Sequence, residues 1–147
     1  RPINRLRRIL TTICPSEVTI MSHWAQDQAT FMRAGEQAVG SPDPDQAARY
    51  LGHILEEACE TERAFDDEDY VKAVDGAVDT IVVAIGFLHS LGVDPDAAWD
   101  AVHAANMRKV VGGKVYRRPD GQIGKPPGWY GPEAELRELC AAAGVPV

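Results

Sequence analysis

The sequence predicts an all-α protein, a bundle of four to five helices with a short basic hairpin or extended loop after the fourth. Three observations carry this reading. Apolar residues recur at spacings of three and four in successive stretches, the period of a helix with one packed face. Asp43-Pro44 and Asp94-Pro95 each set a capping acid before a proline that suits the first helical position. Glycines, Gly40 and Gly92 among them, stand where the periodic stretches stop.

The first helix is expected from His23 to about Val39, with Trp24, Ala25, Gln28, Phe31, Met32 and Gly35 recurring along one face. The second should run from Pro44 to about Arg63 on an apolar stripe of Ala48, Leu51, Leu55 and Ala58. Asp66-Asp67-Glu68-Asp69 reads as the acidic first turn of a third helix, where negative charge meets the positive end of the helix dipole. Its spacing is not that of a calcium-binding loop, which needs a central glycine and a distal Glu. The third helix carries Val71, Val74, Val78, Ile81, Ile85 and Leu88 and closes at Gly92. From Ile81 to Leu88 it is apolar nearly all round, which makes it the central helix. The fourth should span Asp94 to about Lys109, with Ala98, Trp99, Val102 and Ala105 facing the core. Beyond it, residues 114–118 and 122–125 are expected to pair about a Pro119-Asp120-Gly121 turn. Residues 126–131 read as extended loop, and a last helix runs from Pro132 to Gly144.

A chain of 147 residues fits one domain, taken as 21–147. Residues 1–20 differ from the rest: they hold four of the fifteen basic residues and one acid, Glu17. With Met21-Ser22-His23 resembling an ordinary start, the segment reads as an extension outside the core. A basic targeting peptide is the alternative, and two prolines speak against it. The net charge of −7 argues against a nucleic-acid-coating surface. The longest charge-free apolar stretch, Thr80 to Val93, is too short for a bilayer. Three widely spaced cysteines fit free thiols in a reducing cytoplasm, with Cys59 expected as a small buried hydrophobe.

Two groups of acids interrupt these apolar surroundings: Glu56, Glu57 and Glu60 on the second helix, Asp75 and Asp79 on the third. Residues three and four apart share a helix face, and like charges there are unfavourable by about 0.2–0.5 kcal/mol per pair even when solvated. Two such groups on consecutive helices suggest a hard divalent cation held by oxygen ligands, Mg²⁺ with Mn²⁺ as the alternative. Lys109, Lys114, Arg117, Arg118 and Lys125 cluster in under twenty residues of an otherwise acidic chain. Carboxylates, a divalent cation and nearby Lys/Arg together suit a polyphosphate. There is no Walker A sequence, no G-x-G-x-x-G and no nucleophile elbow. His53 stands three and four residues before Glu56 and Glu57, where it could orient a ligand, though a packing or capping role is more common.

Glu56-Glu57-x-x-Glu60, followed on the next helix by an acid pair ending in Asp79, resembles the all-α nucleoside triphosphate pyrophosphohydrolases, with their E-E-x-x-E, spacer and E-x-x-D signature. The stretch from Val102 through Asn106, Lys109, Lys114, Arg118, Asp120 and Lys125 resembles the phosphoribosyl-ATP pyrophosphohydrolase-like branch, and the likeness covers about 24–130. One departure stands out: Gly76 occupies the position of the first acid of E-x-x-D, with Asp75 one residue earlier on the same helical face.

The resemblance implies hydrolysis of a nucleoside or deoxynucleoside triphosphate to monophosphate and pyrophosphate. Glu57, Glu60 and Asp79 would bind Mg²⁺, with Glu56 as ligand or water-orienting base and Asp75 as an auxiliary acid. Asn106, Lys109 and Lys125, with Lys114 and one of Arg117 or Arg118, would contact phosphates; Trp24, Gln28 and Phe31 are the base-contacting candidates. It further implies a homodimer or dimer of dimers, with no nucleic acid or membrane as partner. Two alternatives accompany it: the histidine-biosynthetic phosphoribosyl-ATP enzyme, and a non-catalytic helical module that binds nucleotide or a partner.

Overall fold

A computed structural model describes residues 23–147, so the expected 1–20 extension lies outside the described residues. Helix α1 spans His23–Ala34, α2 Pro44–Asp66, α3 Tyr70–Ser90 and α4 Pro95–Met107. A two-stranded sheet follows, β1 Val110–Val111 and β2 Lys114–Val115, and then α5 Glu133–Ala142. The architecture is all-α, as the periodicity indicates.

The helix starts follow the capping chemistry. Asp43 accepts from the Gln46 amide at 2.9 Å with Pro44 at the first helical position, and Asp94 accepts from the amides of Asp96 and Ala97. Asp69 caps α3 by accepting from the Lys72 amide at 3.1 Å, while Asp67 closes α2. The acidic run is therefore a tight reversal that folds α2 and α3 into a helical hairpin, the most extensive packing in the molecule. Gly92 ends α3 at φ 74°, with its own amide on the His89 carbonyl and the Val93 amide on that of Leu88, the Schellman pattern. Helix α1 is shorter than expected. Its last turn closes on the carbonyls of Phe31 and Met32, and Glu36 takes a left-handed conformation at φ 57°.

The core faces differ from the expected stripes. On α2 the row turned toward α3 is Ala47, Tyr50, Ile54, Glu57, Thr61 and Ala64, while Leu51 and Leu55 are exposed. On α3 the inward row is Ala73, Gly76, Thr80, Val83, Phe87 and Ser90, and Val71, Val74, Val78 and Ile81 point outward. Trp24 and Phe31 of α1 and Trp99 and Val102 of α4 are also exposed, whereas Ala25, Met32, Ala98 and Ala105 are buried. The reason is steric. A Cβ on Gly76 would lie 2.5 Å from the Thr61 hydroxyl, and one on Gly86 would collide with the Tyr50 ring. The hairpin closes by laying small residues between its helices, which leaves the branched rows on the outside.

Polar side chains lock the junctions. Gln46, buried, pairs with both backbone groups of Ala38 and donates to the Ser90 hydroxyl at 2.8 Å, so it fixes the α1–α2 connection to the end of α3. The Tyr50 hydroxyl donates to Gln37 at 2.6 Å and accepts from Gln28 at 3.4 Å, and the buried His89 ring contacts the Ala25 carbonyl at 3.1 Å.

After α4 the chain turns at Gly112-Gly113, both with positive φ, and pairs Val110 with Val115 and Val111 with Lys114. The expected hairpin about Pro119-Asp120-Gly121 forms as a short one: an antiparallel bridge between Arg117 and Ile123, flanked by the Arg118 amide on the Gln122 carbonyl and the Gly124 amide on that of Tyr116. Two consecutive glycines that readily take positive φ make the tighter hairpin turn one strand earlier. Cys59 is exposed rather than buried, because its position lies on the outer side of α2. Among the described residues no helix is long and apolar enough to cross a membrane.

Candidate active site

The hairpin brings both acid groups together. Glu57 lies on the inward row of α2, and Glu60 is on the next turn; Asp75 and Asp79 flank Gly76 on α3. These four residues line one cleft of about 350 Å³ together with a fifth carboxylate, Asp67, and with Arg63 and Lys72. Close helix approach at Gly76 and Thr61 sets the width of this cleft. The Glu57 carboxyl is held above the ordinary value, first by partial desolvation against α3, then by the charges of Asp79, Glu60, Glu56 and Asp75.

Glu56 is placed elsewhere. One residue from Glu57 it points about 100° round the helix, and its Oε2 meets His53 Nδ1 at 3.1 Å on the outer face. Glu56 therefore does not line the cleft. Lys72 is a cleft residue that the sequence reading missed. Its signal was present: it stands three residues before Asp75 and seven before Asp79, on the same helix face.

The donor set suits a hard divalent cation. Five carboxylates, Glu57, Glu60, Asp67, Asp75 and Asp79, line the cleft with no histidine or cysteine among them, and the repulsion that Glu57 feels from its acidic neighbours is what a cation would relieve. Among the described residues no three His, Cys, Asp or Glu side chains already form a ready ligand cage. The fit therefore rests on donor chemistry and charge.

The basic segment gathers differently from expectation. Lys109 Nζ donates to Asn106 Oδ1 at 2.9 Å and lies 5.6 Å from the centre of the Trp129 ring, while Lys125 Nζ lies 4.3 Å from the same ring. The Trp129 indole N–H is anchored on the Ala105 carbonyl at 2.8 Å. Arg108 braces the next residues, donating to the carbonyls of Tyr130 and Gly131 with its guanidinium stacked 3.9 Å from the Tyr130 ring centre. Asn106, Lys109 and Lys125 thus form one cradle on Trp129, a residue that sequence reasoning missed because only the return of the loop onto α4 creates it. Arg117 and Arg118 are occupied locally: one donates to the Gly121 carbonyl, the other to Gln122 and Asp120. They fasten the turn at 118–122, and Lys114 sits exposed on β2.

A second cavity, of about 400 Å³, opens between α1 and α3. Trp24, Phe31, Val78, Ile81, Val82 and Ile85 give it apolar walls, with Asp27 and Gln28 as its polar groups. The base-contacting candidates Trp24, Gln28 and Phe31 all line it.

A search of curated proteins finds no match. A family model described as phosphoribosyl-ATP pyrophosphohydrolase matches residues 28–106, more than half of the chain, from the middle of α1 to the end of α4. That stretch contains the whole acid cleft and ends before the lysine–tryptophan cradle. Enzymes of this family generally use divalent metal ions, in keeping with the cleft's oxygen donors. With its helical architecture and its acid pairs on consecutive helices, the chain belongs to the phosphoribosyl-ATP pyrophosphohydrolase family of the all-α NTP pyrophosphohydrolase superfamily, and is a nucleotide pyrophosphohydrolase, a hydrolase acting on phosphoric anhydrides.

Proposed function

We propose that the protein hydrolyses a nucleoside or deoxynucleoside triphosphate to the monophosphate and pyrophosphate in the presence of Mg²⁺, with Mn²⁺ as a substitute. The observation that carries this is the cleft in which Glu57, Glu60, Asp75 and Asp79 converge from two helices. Glu57, Glu60 and Asp79 would hold the cation, with Asp75 beside them. When bound, the cation supplies charge neutralisation at bridging phosphate oxygens and acidifies a bound water. Glu57, on the inward row of α2 at the cleft, is proposed as both a cation-holding and a catalytic carboxylate. Glu56 is left an auxiliary role, since its carboxylate faces His53 and acts on Glu57 through charge alone.

The apolar cavity fits a nucleobase. Val78 and Val82 line it, and both are neighbours of Asp79 on α3, within about one helical turn of 5.4 Å. A base between Trp24 and Phe31 would therefore leave its phosphate chain beside the carboxylates. Asn106, Lys109 and Lys125 are proposed for the outer phosphates, whereas Arg117, Arg118 and Lys114 support or flank that segment. The outward valines, isoleucines and leucines are accounted for by a homodimer or dimer of dimers. The catalytic domain is proposed as 21–147, so a chain starting at Met21 should keep full activity.

The test is pyrophosphate release from a panel of NTPs and dNTPs with Mg²⁺. Cleavage of at least one nucleotide, lost in Glu57→Gln, is expected. If no nucleotide is cleaved and Glu57→Gln leaves Mg²⁺ affinity unchanged, the proposal is overturned. A second reading, hydrolysis of phosphoribosyl-ATP, is favoured by the family model itself. Adding that substrate to the same panel separates the two.

A further inference from the structure

We infer that the last helix is a working part of the phosphate site: Glu135 on α5 and Arg108 at the end of α4 are a positioning pair that holds Trp129, and through it Lys109 and Lys125, in one arrangement. The inference rests on the proposed reading of those two lysines as phosphate contacts. It concerns a part of the chain beyond residue 106, where the family match ends.

The loop that carries Lys125 and Trp129 cannot hold its own shape. It contains Pro126 and Pro127, which have no amide to donate, and Gly128 at φ 78°. The backbone bond described within it is a single one, the Trp129 amide on the Pro126 carbonyl at 3.0 Å. Such a segment keeps one conformation only when neighbouring elements fasten it. The Trp129 indole on the Ala105 carbonyl is one fastening. Arg108, the C-cap residue of α4, is the other. One edge of its guanidinium donates through Nε to the Tyr130 carbonyl at 3.1 Å and through Nη2 to the Gly131 carbonyl at 3.2 Å. Its face lies 3.9 Å from the Tyr130 ring centre. Two parallel donors and a flat face are properties of arginine that lysine lacks.

Helix α5 closes on the same point. A Cβ on Gly131 would run into the Glu133 carboxylate, so the loop passes flush against the first turn of α5. Glu135 Oε1 stands 3.8 Å from Arg108 Nη2, a charge contact rather than a hydrogen bond. Its other oxygen, Oε2, is buried without a hydrogen-bond partner, the one such side-chain atom among the described residues. An unpaired buried acceptor is unfavourable by about 1–3 kcal/mol, and more when charged. An apolar side chain at 135 would avoid that cost. What Glu135 adds is negative charge beside the guanidinium that braces the loop, and locally unfavourable groups of this kind are kept where they serve a site.

Lys109 follows Arg108 directly, and Lys125 opens the loop. Their ammonium groups lie 5.6 and 4.3 Å from the centre of the Trp129 ring. A shift of the Arg108 anchor therefore moves the indole and both lysines together. Arg108 and Glu135 act on a phosphate chain only through these residues.

Two conservative variants test this. Arg108→Lys keeps the charge and loses the fork, whereas Glu135→Gln keeps the shape and loses the charge. Each is expected to raise KM for the cleaved nucleotide about tenfold while kcat stays within about threefold. In full-length protein labelled with 5-fluorotryptophan, the Trp129 ¹⁹F line, assigned by Trp129→Phe, should shift in both variants while those of Trp24 and Trp99 stay. Wild-type KM in both variants overturns the inference. So does a raised KM with the Trp129 line unmoved, or with all three lines moved together as in a general loosening of the fold. The proposed function fails separately, if the wild type cleaves nothing. The pair is then read with inorganic pyrophosphate in the absence of Mg²⁺. Pyrophosphate should move the Trp129 line of the wild type, with a Kd about tenfold weaker in both variants. An equal response in all three proteins overturns the inference.

Discussion

At Glu57 the chain keeps a carboxylate where folding disfavours its charge. Its pKa is raised by desolvation first and by Asp79, Glu60, Glu56 and Asp75 next. A carboxyl raised in the folded state destabilises that state once ionised. Glu57's contribution to metal-free stability should therefore become less unfavourable as pH falls from neutral through the folded pKa, and level off below the unfolded value, where both states are protonated. Glu57→Gln should raise the metal-free Tm at pH 7.5 while abolishing both turnover and the Mg²⁺-dependent rise in Tm, all readable in one thermal-shift series. Gly86 makes a second residue-scale point. Ala there would drive a methyl into the Tyr50 ring, so Gly86→Ala should cost about 1–3 kcal/mol in urea denaturation. The identities of these residues were legible in the sequence, but their neighbours were not. Glu57 read as a site residue from its spacing, whereas Gly86 looked like one small residue in an apolar run.

Among the elements, the boundaries were legible wherever the chemistry is local. Asp43-Pro44, Asp94-Pro95 and the Gly92 stop act within four residues of chain, and the helices begin or end at each of them. Asp94→Ala should cost about 1 kcal/mol by loss of the acceptor for the amides of Asp96 and Ala97, measurable as a lowered denaturation midpoint. The faces were misread for a physical reason. Periodicity tells which residues share a side, and the strongest stripes, Val71-Val74-Val78-Ile81 and Leu51-Leu55, were assigned to the interior. The α2–α3 seam instead uses glycine, threonine and alanine, because two helices this close leave no room for branched side chains. Nor could spacing reveal that Trp129 returns to Ala105, twenty-four residues away, to seat two lysines. Trp129→Ala should weaken substrate affinity with little loss of fold, seen as a raised KM and an unchanged far-UV spectrum.

Over the whole molecule, the buried hydrophobic residues among those described are mostly alanines, with Met32, Tyr50 and Val93 beside them. Such an interior supplies little of the area that normally offsets chain entropy, while large apolar side chains cover the outside. Association should therefore supply part of the stability. The Tm is expected to rise with protein concentration, checked by calorimetry over a hundredfold range alongside light scattering. Charged substitution on the outer row, Val74→Glu with Ile81→Lys, should yield monomers of lower Tm.

The contact between Gly76 and Thr61 bears on how this acid set could change by mutation. A carboxylate at 76 would bring a Cβ to 2.5 Å from the Thr61 hydroxyl and 3.5 Å from its Cα. Gly76→Glu alone therefore passes through a strained protein, while Thr61→Ala taken first opens the space. The order of the two steps is set by sterics. A lineage moving toward the fuller acid pattern therefore meets position 61 as its gatekeeper.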